Sequence, residues 1–229
     1  MNFYFDIETI QTQRQDFIDD FAVTITPPAN IKKAETLKAW EEDKKPALIE
    51  KAVSESVFDG GMGEIIAFSC AVDDGKIYNA YRTNESTEYD LLEAINEIFK
   101  VMFFSKHGNY DSQQQATWIG HYITGFDLRF LWKRFVINRI KPAVKIPYGA
   151  KPWDKEVYDT CIEWKGTSGK DKSSMDFVCK ALNIEGKNGM DGSQVYDYWK
   201  EGRYKEISEY CDSDVIRTRE IYKAISFAA

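Results

Sequence analysis

Three groups of acidic residues have the types and spacing to hold cations against a phosphate. Asp6 and Glu8 stand two apart in Phe5-Asp6-Ile7-Glu8-Thr9. In an extended strand such residues share a face and lie about 6.6–7 Å apart along it, a span that fits two metal ions about 3.5–4 Å apart. A strand that merely ends in polar residues at the surface is the competing reading of so short a motif. Asp127 follows His121-Tyr122-Ile123-Thr124-Gly125-Phe126, where a strand runs into a helix. An acid there either favours the positive helix end or adds oxygens to the same site. The third group is Tyr210-Cys211-Asp212-Ser213-Asp214. Tyr210 and Asp214, four apart on a helix, share one core-facing stripe, whereas Asp212, about 200° from Asp214, turns away. A carboxylate on a core-facing stripe needs a partner, and a metal would serve.

The elements around these residues follow from hydrophobic period and turn chemistry. Residues 2–7, NFYFDI, read as a strand beginning almost at the first residue, with a buried Phe3-Phe5-Ile7 face opposite Asp6 and Glu8. From Gln11 to Gly63 the pattern changes to a Pro27-Pro28 break, a Lys/Glu-rich weakly amphipathic helix over 31–53 and a turn at 59–63, read as an insertion packed on the core. Glu64–Val72 and Lys76–Arg82, joined by Asp73-Asp74-Gly75, predict a hairpin. Leu91, Ile95, Ile98 and Met102 predict a helix within 87–104. A strand at 117–121, a helix from 125 to about 138, a proline-containing loop and a strand over 157–164 follow. A helix capped by Ser173 or Ser174, with Met175, Val178, Cys179 and Leu182 on one stripe, and a last helix over 207–225 complete the pattern. Strands first and then strand–helix alternation imply an α/β domain on a mixed sheet.

The three acidic groups, in this order, resemble the DEDD superfamily of 3′–5′ exonucleases, whose motifs are D-x-E near the N-terminus, an aspartate in the second motif and Y-x-x-x-D or H-x-x-x-D in the third. Tyr210 makes the match one to the tyrosine subtype. The sequence looks closer still to stand-alone predicted exonucleases related to the proofreading domain of family B DNA polymerases. Pro28-Ala29-Asn30-Ile31-Lys32, Gly63-Glu64-Ile65-Ile66-Ala67 and Met190-Asp191-Gly192-Ser193-Gln194-Val195 resemble that group too. One departure stands out: Tyr122 occupies the place after the second-motif histidine where members often carry Asn.

The resemblance implies an α/β, RNase H-like (DnaQ-like exonuclease) fold: a mixed five-stranded sheet flanked by helices, as one domain over 1–229 with a helical insertion at about 11–63. It implies two divalent cations, Mg²⁺ or Mn²⁺. Asp6, Glu8 and Asp214 would hold the ion that activates water, and Asp6 would bridge to a second supported by Asp127, with Tyr210 orienting the water. Thr9, His121 and Phe126 are the expected substrate contacts. The implied reaction is 3′–5′ hydrolysis of single-stranded DNA to nucleoside 5′-monophosphates, in repair or proofreading. A chain ending at Ala229 leaves no room for a polymerase, so proofreading would act in trans. An exoribonuclease of the same superfamily and a non-cleaving module for single-strand ends are the alternatives; pure binding needs no acidic cluster facing phosphate.

Composition narrows the remaining choices. The 229 residues, 43% of them hydrophobic, support an ordinary core, and 30 Lys+Arg against 37 Asp+Glu give −7, so a broad basic coat for duplex nucleic acid is excluded and any such contact must be local. No apolar run approaches the roughly 20 residues of a membrane span, and no secretory signal is present. Cys70, Cys161, Cys179 and Cys211 form no CxxC pair, as expected of a reduced, cytoplasmic protein. Gly166-Thr167-Ser168-Gly169-Lys170 is no phosphate loop, because Trp164 stands where Gly is needed and Asp171 where Ser or Thr would hold magnesium. Lys165, Lys170 and Lys172 remain a small basic loop able to meet phosphates. His107 reads as solvated.

Overall fold

The computed structural model describes residues 1–104, 115–186 and 189–228, so His107 lies outside the described residues. Its elements in chain order are β1 (Asn2–Ile10), α1 (Gln15–Thr24), α2 (Ala34–Ala39), α3 (Lys45–Glu55), β2 (Glu64–Val72), β3 (Tyr78–Tyr81), α4 (Glu88–Phe103), β4 (Thr117–Gly120), α5 (Asp127–Ile137), β5 (Val157–Asp159), α6 (Thr160–Lys165), α7 (Met175–Leu182), α8 (Val195–Lys200) and α9 (Tyr204–Ser226). The sheet order is β3-β2-β1-β4-β5, antiparallel across β1, β2 and β3 and parallel across β1, β4 and β5. This is the mixed five-stranded sheet flanked by helices that the resemblance implied, and it puts Asp6 and Glu8 on the central strand.

The alternation of β1 sends its two faces to different helices. Phe3, Phe5 and Ile7 join Phe99, Phe103, Trp118, Leu131 and Phe135 in the larger core under α4 and α5. Phe3 alone meets Phe103 at 4.9 Å and Trp118 at 4.7 Å between ring centres, edge to face, contacts worth about 0.5–1.5 kcal/mol each beyond burial. On the opposite face Tyr4 packs with Ala71, Ile119 and Val215, which brings α9 across the sheet. β1 runs further than expected, to Ile10, because Ile10 is fully buried with Ile66 and Ala67. A β-bulge between Glu8 and Thr9 bends it just past the second acid, a place where bulges commonly re-aim side chains beside sites.

α5, whose first residue is Asp127, is fixed by a buried clamp. Arg134 donates to both Glu88 oxygens (2.6–3.1 Å) and to the Gly60 carbonyl, Asn138 donates to Glu88, and Glu88 in turn accepts from the Ile65 N–H at 2.7 Å. A pair this deep holds only because its remaining lone pairs and protons are satisfied. Thr87 and Asp90 close a capping box at the start of α4.

Two expectations are corrected. The strand expected over 157–164 stops at Asp159, and Thr160–Lys165 is helical. Asp159 accepts from the N–H groups of Cys161 and Ile162, the bond of a helix N-cap. The single helix expected over 31–53 is α2, a five-residue π turn at Trp40–Lys44 and α3, with Trp40 buried at the break. No described helix is long and apolar enough to cross a membrane, and the four cysteines are buried and form no disulfide with one another.

Candidate active site

Four acids from three elements converge at one end of β1. Oxygens of Asp6, Glu8 and Asp214 all lie within 4.8 Å of one another. Asp127 stands beside this triplet: its charge adds to those of Asp214 and Glu8 in raising the Asp6 carboxyl well above its ordinary value, although burial is the largest cause. The Asp127 carboxyl is itself pushed up to about 7, by burial first and then by Asp159 and Asp214, against the pull of the N–H groups of Asp127 and Ile7. The β1–β4 ladder ends at Tyr4 and Ile119, which leaves the Ile7 N–H for Asp127. Such a set of hard oxygens, with Asp6 and Asp127 both raised by burial and by neighbouring charge, has the donor chemistry that divalent cations of the magnesium type take.

The third group comes from α9. Tyr210 and Asp214 are 8% and 7% exposed. Burial, then the charges of Asp214, Glu8 and Asp6, raise the Tyr210 phenol far above its ordinary value, so its hydroxyl keeps its proton. Asp212 does not face solvent as the helical register implied. It reaches the sheet, accepting from Ser69 Oγ at 2.6 Å and Asn79 Nδ2 at 2.8 Å, because β2 and β3 extend under that side of α9. Cys211 points at Asp6, its Sγ 3.4 Å from Oδ2. Arg217, which sequence reasoning missed, pairs with Asp214 and donates to Ser213 Oγ at 3.0 Å, while its buried Nε finds no acceptor. Its place three residues after Asp214 was the available signal.

Asp6, Glu8 and Asp127 open into a cleft of about 670 Å³ lined also by Thr9, Val57, Phe58, His121, Tyr122, Phe126, Gly192 and Tyr196. The three expected substrate contacts all reach it. Thr9 Oγ1 is already donating to the Val57 carbonyl at 3.1 Å. The His121 ring lies between Thr160 Oγ1 (2.9 Å) and the Ser173 carbonyl (2.7 Å), and since a carbonyl only accepts, Nε2 carries a hydrogen. Phe126 stacks obliquely on Phe130 at 5.3 Å. Tyr122 sits at φ 70, a left-handed conformation that Asn adopts more readily than Tyr. A Cβ on Gly125 would come within 2.4 Å of its ring, so a larger residue there would displace the exposed Tyr122 side chain. The loop is held by Asp159, which accepts from the N–H groups of Tyr122 and Thr124 and from Thr124 Oγ1 at 2.6–3.0 Å. Lys165, Lys170 and Lys172 do not line this cleft.

Comparison with known families matches residues 61–228 to the model of a predicted 3′–5′ exonuclease related to the exonuclease domain of PolB. The chain belongs to this family. The matched stretch contains Asp127, Tyr210 and Asp214, with Asp6 and Glu8 before it. Among solved structures the family B DNA polymerase from the hyperthermophilic archaeon Pyrobaculum calidifontis is similar, with a TM-score of 0.59 and 12% identity over 98% of this chain. At that identity the likeness is one of fold. The chain spans about a quarter of that polymerase's length (24%). Comparison with curated proteins finds no match.

Proposed function

We propose that the protein hydrolyses phosphodiester bonds one nucleotide at a time from the 3′ end of single-stranded DNA, releasing nucleoside 5′-monophosphates with the help of two divalent cations, Mg²⁺ or Mn²⁺. The observation that carries this reading is the Asp6, Glu8 and Asp214 triplet, two of whose members, Asp6 and Glu8, line a ring-walled cleft together with Asp127. Asp6, Glu8 and Asp214 would hold one cation, and Asp6 with Asp127 the other. Bound there, the cations would supply a nucleophilic water at neutral pH and neutralise the departing 3′ oxygen. Tyr210, protonated and beside the triplet, orients the attacking water by its hydroxyl. Phe126, Tyr122 and Phe58 present π faces to the terminal bases, worth about 1–3 kcal/mol per stacked base. A cleft of about 670 Å³ has the size of a small-ligand site, which favours a splayed single-strand end over an intact duplex. Four buried cysteines that form no disulfide with one another suit a reducing cytoplasm, and we read 11–63 as an insertion in one exonuclease domain whose end, Val57 and Phe58, walls the cleft.

The test is incubation of 3′- or 5′-labelled single-stranded DNA, duplex DNA and RNA with Mg²⁺, Mn²⁺ or EDTA. Metal-dependent release of mononucleotides from a free 3′ hydroxyl of DNA is expected. Undiminished cleavage in EDTA, equal cleavage of a circular strand, or preference for RNA would each overturn the corresponding part of the reading.

A further inference from the structure

Charge is distributed unevenly along this acidic chain. Residues 128–156 carry eight basic and two acidic side chains, a net +6, so the remainder carries −13 of the total −7. Arg134 is spent on Glu88, Lys133 pairs with Asp59 and Lys145 with Glu156. Among the described residues Arg129, Arg139, Lys141, Lys151 and Lys155 are exposed and have no acidic partner. The two acids of the segment are already engaged: Glu156 by Lys145, and Asp154 by the Lys151 backbone N–H at 2.8 Å.

The same segment carries exposed rings. Trp153 is 79% exposed and Tyr148 43%, and Tyr148 stacks on Trp132 with ring centres 4.0 Å apart. A protein this acidic has little reason to leave an exposed tryptophan and five unpaired cations within one stretch of 27 residues unless something planar and anionic meets them. Single-stranded nucleic acid supplies both features, a π face and a negative charge at every nucleotide. An anionic membrane would use the charges but needs a broader apolar face.

Position supplies the rest of the argument. α5 starts at Asp127 in the acidic centre and its eleven residues carry it about 16 Å to the loop bearing these groups. Along a stacked strand, at about 3.4 Å per nucleotide, that distance is about five nucleotides. We propose that residues 129–155 form a second, metal-independent contact for the 5′-ward part of the single strand whose 3′ end enters the cleft. This deepens the proposed function and rests on it for the polarity of the strand, though the binding itself does not require catalysis. The acidic centre repels a phosphate chain until cations arrive, whereas this surface attracts it without them.

The experiment measures fluorescence anisotropy of labelled dT4, dT8 and dT16 in EDTA at 50 and 200 mM salt, with thermal melts to confirm folding. Wild-type protein binds dT16 at least tenfold more tightly than dT4. Combined Lys141→Glu, Lys151→Glu and Lys155→Glu removes that advantage and lowers the log–log salt slope by about 2, as loss of three single-strand phosphate contacts requires. Trp153→Ala weakens dT16 binding at least fivefold. Both variants hydrolyse dT4 with Mn²⁺ as wild type does. Equal binding of dT4 and dT16 by wild type, an unchanged dT16 affinity and slope in the triple variant, or binding to phosphatidylserine vesicles in place of dT16 overturns the proposal. Failure of wild type to hydrolyse any DNA would refute the exonuclease reading while leaving these binding results to stand by themselves.

Discussion

Replacing Asp127 by Asn isolates the electrostatic strain of the acidic centre. In the metal-free protein the Asp127 carboxyl moves from an ordinary 3.8 to about 7, chiefly through burial and then through Asp159 and Asp214. At about 1.4 kcal/mol per pH unit, that gap sets a ceiling of about 4 kcal/mol on the cost of ionising it in the folded state. The sign follows from proton uptake. Below pH 3.8 the group is protonated in both folded and unfolded chains and costs nothing. Between about pH 4 and 7 the unfolded chain releases a proton that the folded one retains, so stability falls as pH rises and levels off above 7. Asp127→Asn keeps an oxygen for the Ile7 N–H and removes the charge, and it also relieves Asp6, whose carboxyl Asp127 helps to raise. At about 2–4 °C per kcal/mol for a chain of this size, Asp127→Asn in EDTA should raise Tm by about 5–15 °C at pH 8 and by nearly nothing at pH 4. Millimolar Mg²⁺ should narrow the gap by stabilising wild type, about 2.7 kcal/mol at a hundred times Kd. Thermal unfolding from pH 4 to 8, with EDTA and with Mg²⁺, reads all of this. Parallel Tm–pH curves for the two proteins in EDTA, or a less stable variant at pH 8, would refute the reasoning.

Other perturbations separate ligands from supports. Asp214→Ala should cost several orders of magnitude in rate, and Tyr210→Phe about 10–10³-fold with the Mg²⁺-induced rise in Tm retained. Asp212→Ala should leave the turnover of Mn²⁺-loaded enzyme within a few-fold of wild type while lowering stability by about 1–3 kcal/mol, because it strands the buried Ser69 hydroxyl, whereas the exposed Asn79 turns to water; calorimetry and single-turnover assays distinguish the two effects. Arg217→Met should destabilise the protein in EDTA by about 3–5 kcal/mol, the cost of leaving a buried carboxylate unpaired, and the loss should shrink as Mg²⁺ is titrated in. An equal loss with and without Mg²⁺ would mean that Arg217 serves packing alone.

What the sequence discloses, and what it withholds, follows from the range over which each constraint acts. The strand bearing Asp6 and Glu8 could be read because a period of two is local, and the run Glu64–Val72 appears with the bounds expected of it because nearly every residue is buried. The pairing of Tyr210 with Asp214 is likewise a matter of helical register alone. Asp212 shows the limit of that reasoning. Register correctly turned it away from Asp214, but only the lateral extent of β2 and β3 decides that the far side of the stripe meets Ser69 and Asn79 and not water. Asp159 makes the same point in a different way. The alternation Val157, Asp159, Cys161 looks like a strand, yet the carboxylate at its centre accepts from five donors, two of which start α6 while three hold the turn at 122–124. One buried acid thus ends a strand, begins a helix and sets the loop leading to Asp127. Its partners across the turn lie 35 and 37 residues away in sequence, so no window of local pattern could have found that role, whereas the spacing of the acids it helps to position could be read from a strand and a helix.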